Sequence, residues 1–283
     1  MPPRKAPTAR QCRVGIELRK MRQNAGLALA EAAALLSTDR TTISNTESGR
    51  FGVSGDRVRT WAAGYACADE AYVEALVAMA EERGRGWWED YRNELTSGPL
   101  DLAELEHHAA GIRAVQLIHM PGLIQSEDYA RAVFAEAVPE LPLARRRRLL
   151  SHRLKRRDVL DREAAPTCTF LIHEAALRMV YGDSGVARGQ LAYLLRESER
   201  DNVIVRVVPF AAGGLPETGS STQYVYGPVP QLDTVLSDTA TGPAFLDAET
   251  RLANYRATMD RVEGLSLAPR KSRDFIREVA QQV

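Results

Sequence analysis

Cysteine is scarce. The three present, Cys12, Cys67 and Cys168, stand far apart and in no Cys-x-x-Cys or Cys/His ligand spacing. That excludes a disulfide framework and a zinc site of the usual pattern, and it predicts reduced thiols in a cytoplasmic protein. No run approaches the roughly 20 apolar residues of a membrane helix. The opening MPPRKAPTARQCR has basic residues with no apolar stretch behind them, so neither export nor membrane insertion is expected. Only four of the 37 basic residues are lysine (Lys5, Lys20, Lys155 and Lys271), a bias of GC-rich coding that carries no mechanism. Convergent reactive groups are also lacking. His107-His108, His119 and His173-Glu174 show no HExxH spacing, and there is no Gly-x-Ser-x-Gly elbow or phosphate loop. No catalytic residue, metal or cofactor is therefore expected, and the chain reads as a non-enzyme.

What is present is a charge asymmetry. Lys+Arg and Asp+Glu balance at 37 each, yet residues 1–68 hold 11 basic against 5 acidic residues, leaving 26 against 32 beyond them. A compact basic segment ahead of a larger acidic body predicts a polyanion-binding module joined to something else. At 283 residues, 45% of them hydrophobic, the chain has room for two globular domains.

Residues 1–11 lack apolar periodicity and predict a flexible basic arm. From Val14 the pattern turns helical, with Val14, Leu18 and Met21 on one face and Asn24-Ala25-Gly26 ending it. A short Ala-rich helix follows from about Ala28 to Leu36. Ser37-Thr38-Asp39 makes a turn with Asp39 as N-cap of a third helix, and Gly49 supplies the residue beyond its C-terminus. Two short helices joined by a three-residue turn form a helix-turn-helix. The segment LRKMRQNAGLALAEAAALLSTDRTTISNTESGR, with Gly26-Leu27, Ser44, Glu47, Gly49 and Arg50 and a closure through Val58, Trp61 and Tyr65, resembles the Xre/Cro-type helix-turn-helix. The later strings MPGLIQSEDYARAVF, HEAALR and NVIVRVVPFAAGG resemble the large C-terminal domain of actinobacterial regulators of the WhiJ-like, antitoxin-like kind. The resemblance implies a transcriptional regulator that binds double-stranded DNA as a homodimer, with a small companion protein encoded nearby as a possible partner.

The expected organisation is a helix-turn-helix domain over 12–68, a helical linker over 69–97 hinged at Arg83–Trp88, and a sensor or partner-binding domain over 98–283. Within the last, helices alternate with strands at Ile112–Ile118, Thr167–Ile172, Val203–Val208, Thr222–Tyr226 and Thr234–Leu236. The fold class is thus mixed α+β, a small all-α domain followed by a larger α/β one.

Advancing 100° per residue from Arg40 puts Arg40, Thr41, Ser44, Asn45 and Ser48 on one polar arc, opposite Thr42, Ile43 and Thr46. Arginine, asparagine and threonine suit guanine, adenine and the thymine methyl, so Arg40, Thr41, Ser44 and Asn45 are the candidate base readers of helix 40–48. Arg13, Arg19, Lys20, Arg50 and Arg57 are the candidate phosphate contacts. In the second domain the Phe210, Gly213, Gly214 loop and Arg147 and Arg148 of the Arg145–Arg148 run are candidate ligand or partner residues. Where Xre-type domains carry a Thr-Gln pair this chain has Ala28-Leu29, and Ala32, Thr38 and Thr46 replace larger aliphatics. A marginally stable reading domain is therefore expected. The alternative function is an antitoxin-like interaction protein with weakened DNA reading.

Overall fold

The computed structural model describes residues 7–82, 84–216, 220–239 and 242–283. The chain divides into two compact units, Met1–Glu89 and Asp90–Val283.

The first unit is all helical, with α1 at Ala9–Asn24, α2 at Leu29–Leu35, α3 at Arg40–Glu47, α4 at Gly55–Gly64 and α5 at Glu70–Glu81. Helix α1 begins earlier than its apolar pattern. Thr8 Oγ1 accepts from Gln11 N (3.2 Å) and Gln11 Oε1 accepts from Thr8 N (3.1 Å), a reciprocal cap inside the stretch expected to be an arm. Residues 1–6 of that stretch lie outside the described residues. Leu18, Ile43, Val58 and Leu76 are fully buried, with Trp61 and Tyr65 beside them. Because Leu76 belongs to α5, the helix expected as a linker is part of this core. It is held there by Tyr72, whose hydroxyl donates to Glu17 Oε2 of α1 at 2.5 Å. The helix expected to break near Arg83–Gly86 stops at Glu81, and a short 3-10 helix follows at Trp87–Tyr91; Arg83 lies outside the described residues. Gly86 is not simply a flexible joint, since a Cβ there would fall 2.2 Å from the Trp88 ring.

The second unit is mixed, as its alternating pattern predicts. Helix α6 (Ser97–His107) leads into β1 (Gly111–Gln116), followed by α7 (Glu127–Ala135), α8 (Leu143–Arg156) and β2 (Thr167–His173). Then come α9 (Glu174–Arg178), α10 (Ser184–Glu197), β3 (Val203–Val208), β4 (Thr222–Tyr226), β5 (Thr234–Thr239), β6 (Gly242–Leu246), α11 (Glu249–Leu265) and α12 (Pro269–Gln282). The sheet order is β3-β2-β1-β4-β5-β6. The first three strands pair in parallel and the last three antiparallel, with β1 the strand at which the sense changes.

Alternation along the strands sorts side chains to two faces. Ile112, Phe170, Ile172, Val203, Val205 and Val207 bury on one, with Leu191 and Leu194 of α10 and Ile276 and Val279 of α12. Val115, Leu171, Tyr224 and Val235 bury on the other, with Leu252, Met259 and Val262 of α11. Arg113 of β1 anchors α11 through Asp260 and Glu263, each at 2.8 Å. Strand β6 was not expected. Its sequence GPAFL carries Pro243, tolerated because an edge strand leaves one row of backbone groups unpaired.

Candidate nucleic-acid interface

Helix α3 has a docked face and a free face. Asp39 Oδ1 accepts from Thr42 N (2.7 Å) and Oδ2 from the Thr42 hydroxyl (2.6 Å), fixing the first turn. The same bonds hold the Asp39 carboxyl below its ordinary pKa. At the far end Gly49 takes φ +72, and a Cβ there would sit 2.9 Å from Cys12 Cα. Ile43 and Thr46 point into the core, and the Thr46 hydroxyl donates back to Thr42 O at 2.8 Å. Glu47 is also turned inward. It accepts from Arg22 Nε (2.6 Å) and Nη2 (2.9 Å), while Arg22 Nη1 donates to Leu27 O (2.7 Å). The bonds to Glu47 raise the Arg22 pKa further. Gly15 lets the backbones of α1 and α3 touch, because a Cβ there would lie 2.4 Å from Thr46 O and 2.6 Å from Glu47 O.

On the opposite side Arg40, Thr41, Ser44 and Ser48 are exposed and Asn45 is half-buried. The arc drawn from the sequence is therefore present as one face. Arg40 bonds no described residue, so its planar set of donors is available to a ligand. At the entry to α2 Ala28 N donates to Glu31 Oε2 at 2.7 Å, one half of a capping box, while Ala28 has no side-chain acceptor for the amides of the first turn.

The phosphate candidates divide. Arg19, Arg50 and Arg57 are exposed, with the Arg57 guanidinium 5.5 Å from the centre of the Trp61 ring. Lys20 is half-buried and bonds Glu17 Oε1 at 2.8 Å. Arg13 does not belong in the set. It is 8% exposed and donates through Nε to Glu17 at 2.5 Å, so its charge serves the interior of the unit. The residues that position α3, Arg22 and Glu47, were not singled out as a pair by sequence reasoning. The available signal was the placement of Glu47 four residues after Ile43, which puts it on the docked face.

The candidates of the second unit do not converge. Phe210 is exposed beyond the end of β3, its ring 5.1 Å from that of His173, and its amide donates to Glu174 Oε2 at 2.8 Å. Gly213 follows with φ +87, and a Cβ on Gly213 or Gly214 would meet open space. On α8 Arg147 is exposed, whereas Arg148 is paired with Glu94 and lies 4.5 Å over the Tyr91 ring. His173 caps α9, its Nδ1 accepting from Ala175 N at 3.2 Å, a structural duty. Burial pushes the Cys168 thiol up to about 12 and, with the Arg156 and Arg153 charges, the His152 imidazole down to about 3. No group of three His, Cys, Asp or Glu among the described residues could hold a metal ion.

No helix among the described residues is long and apolar enough to cross a membrane. No curated protein and no solved structure matches the chain. Residues 13–76 match a family described as a helix-turn-helix domain, in agreement with the capped α2–α3 pair and with α5 as part of the first unit. Residues 100–278 match the domain of unknown function DUF5753, which spans the whole six-stranded sheet. The chain belongs to the DUF5753 family and carries at its front a helix-turn-helix domain suited to DNA-binding regulation.

Proposed function

We propose that the protein is a sequence-specific transcriptional regulator that binds double-stranded DNA as a homodimer and places α3 in the major groove. The observation that carries this reading is the two-sided character of α3. Ile43, Thr46 and Glu47 tie it to α1, while Arg40, Thr41, Ser44 and Asn45 stand on the other side with base-reading chemistry. Arg19, Arg50, Arg57 and, more weakly, Lys20 then take phosphates and set the register. Two copies read half-sites about 34 Å or a multiple of that apart. The second unit receives a ligand or protein signal and is not itself an enzyme.

Within this reading the chain is an Xre-type regulator of the WhiJ-like kind and works in the cytoplasm with a small companion protein. The alternative is an antitoxin-like interaction protein with weakened DNA reading, favoured by the side-chain cap that Ala28 cannot supply and by the small Ala32 and Thr46 in the core of the first unit. The test is binding to DNA from the protein's own upstream region against a scrambled duplex across a salt series. A specificity ratio of about 10³ or more is expected, and it should collapse in Arg40→Ala and Asn45→Ala. Equal, salt-fragile binding to both duplexes would defeat the proposal.

A further inference from the structure

Among the described residues eight large apolar side chains are exposed, and six of them, Ile118, Val138, Leu143, Met179, Val180 and Phe210, belong to the second unit. Four of the six stand at one edge of its sheet. Strands β1, β2 and β3 run parallel, so the segments that leave their carboxyl ends emerge on the same side. Ile118 follows β1, Met179 and Val180 follow β2 through the short α9, and Phe210 follows β3. Ring contacts link the three segments. The His119 ring lies 5.1 Å from that of Tyr181, next to Val180, and the Phe210 ring lies 5.1 Å from that of His173, which caps α9. The exposed apolar residues therefore form one row across the edge.

At the centre of the row the chain reads Arg178-Met179-Val180-Tyr181-Gly182-Asp183. Met179 ends α9, its amide donating to Ala175 O at 2.9 Å, and Asp183 caps α10, its Oδ1 accepting from Val186 N at 2.9 Å. Between these two caps the amides of Val180 and Tyr181 bond no described residue. The flanking charges are only partly committed. Arg178 donates through Nε to Glu174 Oε1 (2.7 Å) and through Nη1 to Gln282 Oε1 (2.8 Å), which leaves Nη2, and Asp183 keeps Oδ2. Turned over by a two-fold axis between Val180 and Tyr181, the segment meets its own copy with Arg178 opposite Asp183 at both ends and Met179 and Val180 between them. An apolar middle with opposite charges at its two ends is self-complementary, as an isologous contact requires.

We propose that this row is the surface through which two copies of the chain associate, two-fold symmetrically across residues 178–183. The charge pattern selects a second copy over a foreign partner, because one sequence supplies both members of each ion pair. A stable, specific contact buries about 800 Å² on each partner. A six-residue segment with Tyr181 half-buried does not supply that area alone, so the contact extends along the row to Phe210 and Ile118. Among the described residues the first unit offers no comparable surface, since its exposed large apolar residues, Ile16 and Leu35, lie on separate helices. The contact deepens the function proposed above, whose homodimer it supplies, while the association itself needs no DNA.

The test is sedimentation equilibrium of the full chain without DNA. The wild type should be a dimer at micromolar concentration. Val180→Glu, which sets two carboxylates against each other at the axis, should be a monomer with an unchanged circular dichroism spectrum. Asp183→Asn keeps the cap of α10 and removes the charge, so it should weaken association about fivefold through the two symmetry-related pairs. A second measurement applies a short bis-maleimide to Val180→Cys in a Cys12→Ser/Cys67→Ser background, where the remaining Cys168 is buried. It should yield a covalent dimer, and Leu35→Cys, an exposed apolar site in the first unit, should not. A wild type that stays monomeric, a Val180→Glu variant that stays dimeric, or equal cross-linking from Leu35→Cys would overturn the proposal, the first of these leaving the row to a different partner. Association unaltered in Asp183→Asn would overturn the two-fold register. Operator affinity is measured separately. A dimer held at this row with no preference for its own upstream DNA would count against the regulatory function and not against the contact.

Discussion

Removing the Glu47 side chain tests the claim that a buried ion pair positions the reading helix. In Glu47→Ala the guanidinium of Arg22, whose side chain is 8% exposed, keeps only its bond to Leu27 O and loses two to Glu47. Orphaning one member of a buried pair costs about 3–5 kcal/mol. The first unit is small and only a thin layer covers the pair, which places the loss near the lower end. With a urea slope of about 1–1.5 kcal/mol/M for a unit of this size, the midpoint should fall by roughly 2–3 M. The protein's three tryptophans, Trp61, Trp87 and Trp88, all lie in the first unit, so their fluorescence follows its unfolding separately. Operator affinity should fall with it, because α3 loses its tie to α1. The double variant Arg22→Met/Glu47→Leu should recover most of the stability, since an apolar pair of similar volume carries no stranded charge. A midpoint displaced by less than about 0.5 M in Glu47→Ala, or a double variant as unstable as the single one, would refute the reasoning.

Gly15→Ala should part α1 from α3, because its Cβ would meet backbone carbonyls at 2.4 and 2.6 Å; near-native urea stability and DNA affinity would contradict the close approach. Ser37 holds φ +49 in the helix-turn-helix turn, so Ser37→Gly should stabilise the first unit by about 1 kcal/mol, read as a higher urea midpoint. Gln190 is fully buried, accepting from Ser126 N (2.7 Å) and donating to Ile124 O (2.9 Å). Gln190→Leu should therefore cost the second unit about 2–4 kcal/mol in calorimetry by stranding both backbone groups, and a neutral effect would count against it. The folded pKa of His152, about 3, lies below an unfolded value of about 6.5. Its contribution is thus complete above pH 6.5 and is lost as pH falls toward 3, at about 1.4 kcal/mol per pH unit. His152→Gln should flatten the acid limb of the second unit's stability profile, with His119 and His173, also depressed by burial, leaving a residual slope.

The sequence by itself determined whatever is encoded within a few consecutive residues. Asp39 as a cap, Gly49 as a stop, and the division of α3 between Ile43 and Thr46 on one side and Arg40, Thr41 and Ser44 on the other follow from helix geometry alone. Five of the six strands were legible because Val, Ile, Thr and Phe alternate over the span of a strand. The Thr8–Gln11 capping box was also written in the chain, although apolar periodicity, which begins only at Val14, concealed it. Other features depended on the tertiary structure. Strand β6 exists because a neighbouring edge accepts a segment that its own residues would not make extended. The place of α5 was decided by Tyr72 reaching Glu17, 55 residues away. Arg13 looked like a surface cation until the fold closed protein around it, and Glu47 found its cation in Arg22, 25 residues earlier. Helical and strand periodicity, caps and turns arise from interactions between near neighbours. Which charges lose water and which find a partner depends on what distant chain segments are brought together.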